Sequence, residues 1–304
     1  MADYIIIDAH VHTYPSRDIG LQAKQDSNAT DYAGTLDELL PLMERAGISK
    51  AVVVNMLPVA EMRDAALAKL PVNLSQAEHE KALKEIDARM VGRLERKNSW
   101  SCNQAKEHPS LIPFITLDPL MDERTMAAEI LDKVNNQGAK GIKLHPASQR
   151  FLPNDRRLWP AYHTAQQLRL PVISHSGTFF STTIHYAQPK NFEEVLDSFP
   201  DLTMVMAHLG MGFFNETTSL ARTYPNLQFD CCGIISHNEA EGGLSDNDLT
   251  GLIKEIGVER VMFGSDFPWY DPAGGIERLL RLDFSEQEKR LLLGENAIRI
   301  YKLS

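Results

Sequence analysis

Residues 4–13 read Tyr4-Ile5-Ile6-Ile7-Asp8-Ala9-His10-Val11-His12-Thr13. The run of β-branched residues predicts a strand over 4–8. The residues after this strand decide the fold. An open doubly wound sheet that binds a dinucleotide places a glycine-rich phosphate loop here, whereas this strand runs into Asp-Ala-His-Val-His-Thr, which no dinucleotide would select. His10 and His12 stand two apart on an extended chain, so their rings fall on one side and can meet one ion.

Working outward, short apolar runs recur, each leading into a segment with helical spacing of apolar residues, the alternation of parallel βα units. Further strands are expected over 51–55, 111–117, 141–144, 171–174, 203–207, 227–230 and 260–264, making eight with the first. Helices are expected over 35–46, 122–136, 155–168, 191–198, 215–224 and 246–256, the first of them stopped at Gly47 by a left-handed C-cap. Eight such units without a hairpin signal predict a (β/α)8 barrel, which takes about 250 residues as one unit. The chain of 304 residues is therefore read as one domain, 1–304. The surplus length is a charge-rich helical excursion at about 57–110, patterned as a helix over 74–94 and placed to cap the barrel mouth, and C-terminal helices at about 274–304.

Composition bounds the function. With 43% hydrophobic residues the chain can build a core, and no unbroken apolar span reaches the ~18 residues of a membrane helix. The net charge of −10 repels a phosphate backbone, and neither Arg156-Arg157 nor the stretch 93–97 compensates it, so no nucleic-acid partner is expected. Cys102, Cys231 and Cys232 cannot make a disulfide framework, and the N-terminus has no basic leader; both fit a cytoplasmic protein. A small-molecule substrate is the expected partner, with assembly as a homodimer or higher homo-oligomer left open.

In a barrel, chemistry gathers where strands end. The expected strand ends carry His10-Val11-His12, Lys143-Leu144-His145, Ser174-His175, Ala207-His208 and Gly264-Ser265-Asp266, so five of the ten histidines and one aspartate reach one rim. Taken singly, each has an ordinary alternative: a satisfied core histidine, a turn-starting aspartate, a snorkelling lysine. Together they fit a divalent metal, because burying several imidazoles and a carboxylate without a shared ion is costly.

The segments IIIDAHVHTYP (5–15), GAKGIKLHPASQRF (138–151), LPVISHSG (170–177), TMVMAHLG (203–210), RVMFGSDFPW (260–269) and GENAIRIY (294–301) resemble the amidohydrolase superfamily. The resemblance is to its amidohydrolase-2 branch, which includes aminocarboxymuconate semialdehyde decarboxylase and many metal-dependent hydrolases. It implies a distorted (β/α)8 TIM barrel in which His10, His12 and His175 bind a divalent metal and Asp266 is a further ligand and proton acceptor. His208 would orient or deprotonate a metal-bound water, or bind a second metal. One ion is expected, zinc first, with manganese, iron or cobalt as alternatives; a binuclear site bridged by a carboxylated Lys143 is the other reading. The implied activity is hydrolysis of an amide, lactone or ester by a metal-activated water, with Asp266 and His208 as the catalytic pair. The alternatives are non-oxidative decarboxylation of an aromatic or unsaturated acid, and an inactive barrel with a binding role, against which the retention of all five site residues speaks.

A decarboxylase needs a cation for a carboxylate, and Arg17, Arg150 and Lys97 are the candidates, each with an ordinary alternative as a solvated charge. His145 is a candidate substrate contact if Lys143 points inward. Tyr14, Phe179, Phe180, Trp269 and Tyr270 could line a pocket for a flat ring. His185 and His237 are further polar candidates without a motif.

Overall fold

Eight parallel strands succeed one another in chain order around one sheet: β1 (Ile6–Val11), β2 (Ile48–Val53), β3 (Leu111–Thr116), β4 (Gly141–Leu144), β5 (Val172–Ser174), β6 (Met204–Met206), β7 (Gln228–Asp230) and β8 (Val261–Met262). This computed structural model describes residues 4–24, 30–178, 184–237 and 239–303. The ring closes between β1 and the segment after β8. Ala9 N donates to the Phe263 carbonyl, Asp266 N to that of His10 and His12 N to that of Phe267. A parallel bridge joins Val11 to Phe267. The architecture is the expected (β/α)8 barrel, distorted by its very short later strands.

Around the sheet lie α1 (Arg17–Lys24), α2 (Leu36–Ala46), α3 (Val59–Leu67), α4 (Gln76–Glu107), α5 (Glu123–Gln137), α6 (Pro146–Gln149), α7 (Trp159–Leu168), α8 (Glu193–Ser198), α9 (Phe214–Thr223), α10 (Asp246–Ile256), α11 (Pro272–Arg281), α12 (Glu286–Arg290) and α13 (Asn296–Tyr301). Gly47 ends α2 at φ 69°, as the sequence predicts. α12 and α13 are joined by a wide helical turn over Leu291–Glu295, so the tail is nearly one helix.

The buried apolar residues fall into two clusters. An outer layer between strands and helices includes Ile6, Val11, Leu39 and Ile130. An inner column includes Ile7, Ala9, Phe114, Val205 and Met262, and it is plugged by Ala297, Ile300 and Tyr301 from the C-terminal helix and by Leu303 just beyond it. The Tyr301 ring packs edge-on to Phe114 with centroids 5.0 Å apart.

The two clusters explain how β1 aims its histidines. Ile6 faces the outer layer, while Ile7 and Ala9 face the column. Strict alternation would then send Val11 inward and His10 outward. Pairing with β2 is irregular between Asp8 and Val11, where β1 advances three residues against two of β2. That bulge reverses the parity, so Val11 joins the outer layer and His10 turns to the interior. It also carries β1 three residues beyond the strand predicted over 4–8.

The excursion needs correcting. α4 extends to Glu107, 13 residues past the helix predicted over 74–94, and its second half packs on β3 as the ordinary β2–β3 crossover. Its buried face runs Ile86, Met90, Leu94, Asn98, Ser101 and Cys102. The last part is mostly polar because it bonds to the sheet: Thr116 N donates to Asn98 Oδ1 (2.8 Å), and Asn98 Nδ2 donates to the Thr116 carbonyl (2.9 Å). Only α3 and the first turns of α4 are inserted. α3 packs against α6, which directly succeeds His145, so the insertion does reach the rim.

Gly141 opens β4 against Phe114, and a Cβ added there would stand 2.3 Å from Phe114 Cε2. Gly141→Ala should therefore cost about 1–3 kcal/mol by overpacking. In urea titrations the double variant with Phe114→Leu should be more stable than the sum of the two single losses implies. An unchanged midpoint for Gly141→Ala would refute this packing.

Candidate metal centre

At the C-terminal rim, Asp266 Oδ1 lies 3.4 Å from His12 Nε2 and 3.8 Å from His10 Nε2. The rings of His10 and His12 are 5.2 Å apart between centroids, and His208, after β6, is 5.2 Å from His10. His175, after β5, is 4.7 Å from His208 and stacks at 4.2 Å on His145, after β4. Lys143 is wholly buried and points inward, its Nζ 3.2 Å from His10 Nε2. The strand-end register thus brings the five histidines, Asp266 and Lys143 together.

A buried carboxylate holds this arrangement. Asp230, the last residue of β7, takes His10 Nδ1 on Oδ2 at 2.9 Å, while its Oδ1 accepts from the backbone amides of His208 (2.9 Å) and Cys232 (3.2 Å). His10 therefore carries its proton on Nδ1 and keeps a lone pair on Nε2, the nitrogen facing Lys143 and Asp266. On the other side, Asp8 Oδ1 accepts from His10 N (3.2 Å) and Ser265 N (2.9 Å), tying β1 to the segment after β8. Gly264 lets the two approach, since a Cβ there would lie 2.9 Å from the Cβ atoms of both His10 and Cys232.

His208 and Asp266 both adopt the left-handed backbone region, at φ 59° and 62°. For residues other than glycine this costs about 1–3 kcal/mol each, and it is sustained here by the bonds around them. Gly233 faces this pair. A Cβ there would stand 3.5 Å from Asp266 Oδ2 and from His208 Nδ1, in van der Waals contact with the two groups that could handle a proton.

Burial pushes His10 down to about 3, assisted by the nearby Lys143 amine, and it lowers His12, His145 and His175 as well. Burial alone would raise Asp266, but the hydrogen bond with His12 and the imidazoles of His208 and His10 outweigh it and keep the carboxylate well below its usual range. Neutral imidazoles beside an ionised carboxylate are the donor set of a divalent cation. His10, His12 and Asp266 form a group whose ligand atoms all lie within 4.8 Å of one another. The residues therefore fit a bound divalent metal. A second compact group, His10, His208 and Cys232, shares His10, whose Nδ1 is already engaged by Asp230.

His175 lies outside both compact groups, with its Nε2 3.2 Å from the Thr178 carbonyl. Tyr14 is buried beside the site, and burial followed by the charge of Asp266 raises its pKa. Trp269 sets its indole edge-on to His12 at 5.2 Å. Tyr270 pairs through its hydroxyl with the ring of His237 and lies near Gly233. His185 is exposed against Phe213. Phe179 and Phe180 lie outside the described residues.

Arg17 and Arg150 are corrections. Arg17 is 58% exposed and pairs with Glu38, and Arg150 is 43% exposed and pairs with Asp64, so both charges are spent on surface ion pairs. Three groups at the site were missed in the sequence: Asp230, Cys232 and Gly233. Asp230 does stand at a predicted strand end, and that register was the available signal.

Sequence comparison matches a family model described as amidohydrolase to residues 7–303. An uncharacterised protein, y4mH, of Sinorhizobium fredii is 24% identical over 150 residues, a match covering 43% of this chain and about half (49%) of that protein. A gamma-resorcylate decarboxylase of Polaromonas sp. is 20% identical over 247 residues, covering 69% of this chain and 76% of the other. Among solved structures, an uncharacterised TIM-barrel protein of Bordetella bronchiseptica superposes with a TM-score of 0.73 at 20% identity, covering 98% of both chains. A dihydroxybenzoic acid decarboxylase of Polaromonas sp. JS666, solved with bound manganese and the inhibitor 2-nitroresorcinol, superposes at 0.72 and 16% identity over 100% of this chain and 98% of that one. Among the described residues no helix is long and apolar enough to cross a membrane.

The grip of Asp230 on His10 makes a measurable demand. Asp230→Asn should weaken Mn2+ binding about 10- to 100-fold, because an amide no longer fixes the His10 tautomer. Titration followed by the Mn2+ spin resonance signal reads this, and an unchanged affinity would refute the role assigned to Asp230.

Proposed function

The chain belongs to the amidohydrolase family, and from that premise we propose that it is a metal-dependent decarboxylase of an aromatic or unsaturated carboxylic acid. This prefers the decarboxylation alternative over the hydrolysis that the sequence resemblance first implied. The observation that carries it is the setting of Asp266. Its Oδ1 lies 3.4 Å from His12 Nε2 and 3.8 Å from His10 Nε2, with the Trp269 indole edge-on to His12 and Gly233 facing its Oδ2. A proton carrier that is 16% exposed and stands beside an aromatic wall suits protonation of a flat ring. The names of the Polaromonas relatives point the same way.

His10, His12 and Asp266 would hold one divalent ion, with His175 joining if its ring turns from Thr178. Bound there, the ion supplies a Lewis acid that anchors an anionic oxygen of the substrate. Asp230 keeps the His10 lone pair on Nε2. Asp266, ionised at rest, accepts the proton of an acidic substrate hydroxyl and delivers it to the carbon that bears the carboxylate. The bond from that carbon to the carboxylate then breaks, its electron pair returns to the ring, and carbon dioxide leaves. One solvent proton restores the hydroxyl, so the sum is R–CO2− plus H+ giving R–H plus CO2. His208, held at its strained backbone position by Asp230, faces Gly233 beside Asp266 and hydrogen-bonds the departing group.

Mn2+-loaded protein should release CO2 from hydroxylated aromatic acids, with 2,6-dihydroxybenzoate and 5-carboxyvanillate as first probes. In D2O the product should carry one deuterium at the vacated carbon. Asp266→Asn should fold normally and lose about 10²–10⁴-fold in rate. Cleavage of lactones or amides without any CO2 release would instead establish hydrolysis.

A further inference from the structure

Lys97 stands apart from the other cations near the rim. Arg17 and Arg150 are neutralised by Glu38 and Asp64, and Lys143 lies inside against His10. Lys97 reaches from α4 to the loop after β1, where its Nζ donates to the Thr13 carbonyl at 2.8 Å. The ammonium sits 4.4 Å from the Trp100 ring centroid and 5.0 Å from that of Tyr14. Among the described residues no carboxylate pairs with it. The loop is fixed from the same side: Thr13 N donates to Asn55 Oδ1 (2.7 Å), and Asn55 Nδ2 donates to Ser101 Oγ of α4 (2.8 Å).

An ammonium has three donors, and here one carbonyl and two ring faces serve it. Burial pushes its pKa down to about 7, the mark of a cation short of compensation. Such a group is completed by an anion from solution. Tyr14 connects it to the reaction centre, since the ring lies under Lys97 and the phenol feels the charge of Asp266.

We propose that Lys97, in its cage of Tyr14 and Trp100, anchors a second anionic group of the substrate, so that the enzyme selects dianionic aromatic or unsaturated acids. The reacting carboxylate lies at Asp266 and the retained anion at Lys97. This rests on the decarboxylase reading for which end reacts, while the anchor itself is a matter of binding.

The test uses the unreactive probes isophthalate, with two carboxylates, and benzoate, with one, titrated calorimetrically into Mn2+-loaded protein. Isophthalate should bind about tenfold more tightly than benzoate, the yield of one charge-assisted hydrogen bond. Lys97→Met keeps the apolar stem and should erase that preference while leaving benzoate unchanged, and Lys97→Arg should restore most of it. Lys97→Gln, which can still donate to Thr13, should behave like Lys97→Met and serves if the latter fails to fold. Equal affinities in the wild type, or a preference that survives loss of the charge, overturn the proposal. A preference without CO2 release from any acid retires the decarboxylase reading and keeps the anchor; CO2 release without a preference retires the anchor alone.

Discussion

The arrangement hangs on one buried carboxylate. Asp230 is fully enclosed, and burial would raise its pKa, yet its bonds to His10 and to the amides of His208 and Cys232 keep it ionised. With one oxygen it sets the tautomer of a histidine on β1. With the other it holds the backbone of His208, after β6, in a left-handed turn. A buried charge that loses its partners is worth several kcal/mol of instability, so the three strand ends are bound to each other through it. Asp230 works against burial at His10, but burial prevails there and lowers His12, His145 and His175 too, which favours neutral rings with lone pairs free for a cation.

The same interior explains why the site is deep and yet reachable. The column below is filled by β-strand side chains and by Tyr301 from the C-terminal helix, so solvent does not enter from that end. Above, Asp266 keeps its side chain 16% exposed, and Gly233 withholds a side chain from the space beside it. Lys143 reaches into the ring of ligands, where burial lowers its pKa. Its Nζ stands 3.2 Å from His10 Nε2, and its carboxylation would turn the same position into a bridging ligand.

Much of the fold was legible because barrel strands are buried on both faces and read as continuous apolar runs. β4 was placed to the residue, and the later strands to within one or two. β1 was misjudged because a bulge, which no alternation rule contains, carries the strand on through His10 and reverses its parity. The second half of α4 was lost because its buried face passes from Met90 and Leu94 to Asn98 and Ser101, which are inside for their hydrogen bonds, not their hydrophobicity. In the site, the histidines and Asp266 were found because several scarce residue types recurred at one register. Asp230 escaped notice because a single acid after an apolar run resembles any turn residue; only the closed barrel sets it against His10. Charge alone likewise could not separate Arg17 and Arg150, neutralised at the surface, from Lys97, held between two rings.

The central claim is that His10, His12 and Asp266 define one cation site, held open by Asp230. A crystal of the protein grown with Mn2+ and measured at the manganese absorption edge tests it directly. A single anomalous peak is expected, bounded by His10 Nε2, His12 Nε2 and Asp266 Oδ1. No peak there, or a peak centred elsewhere on the rim, would contradict it.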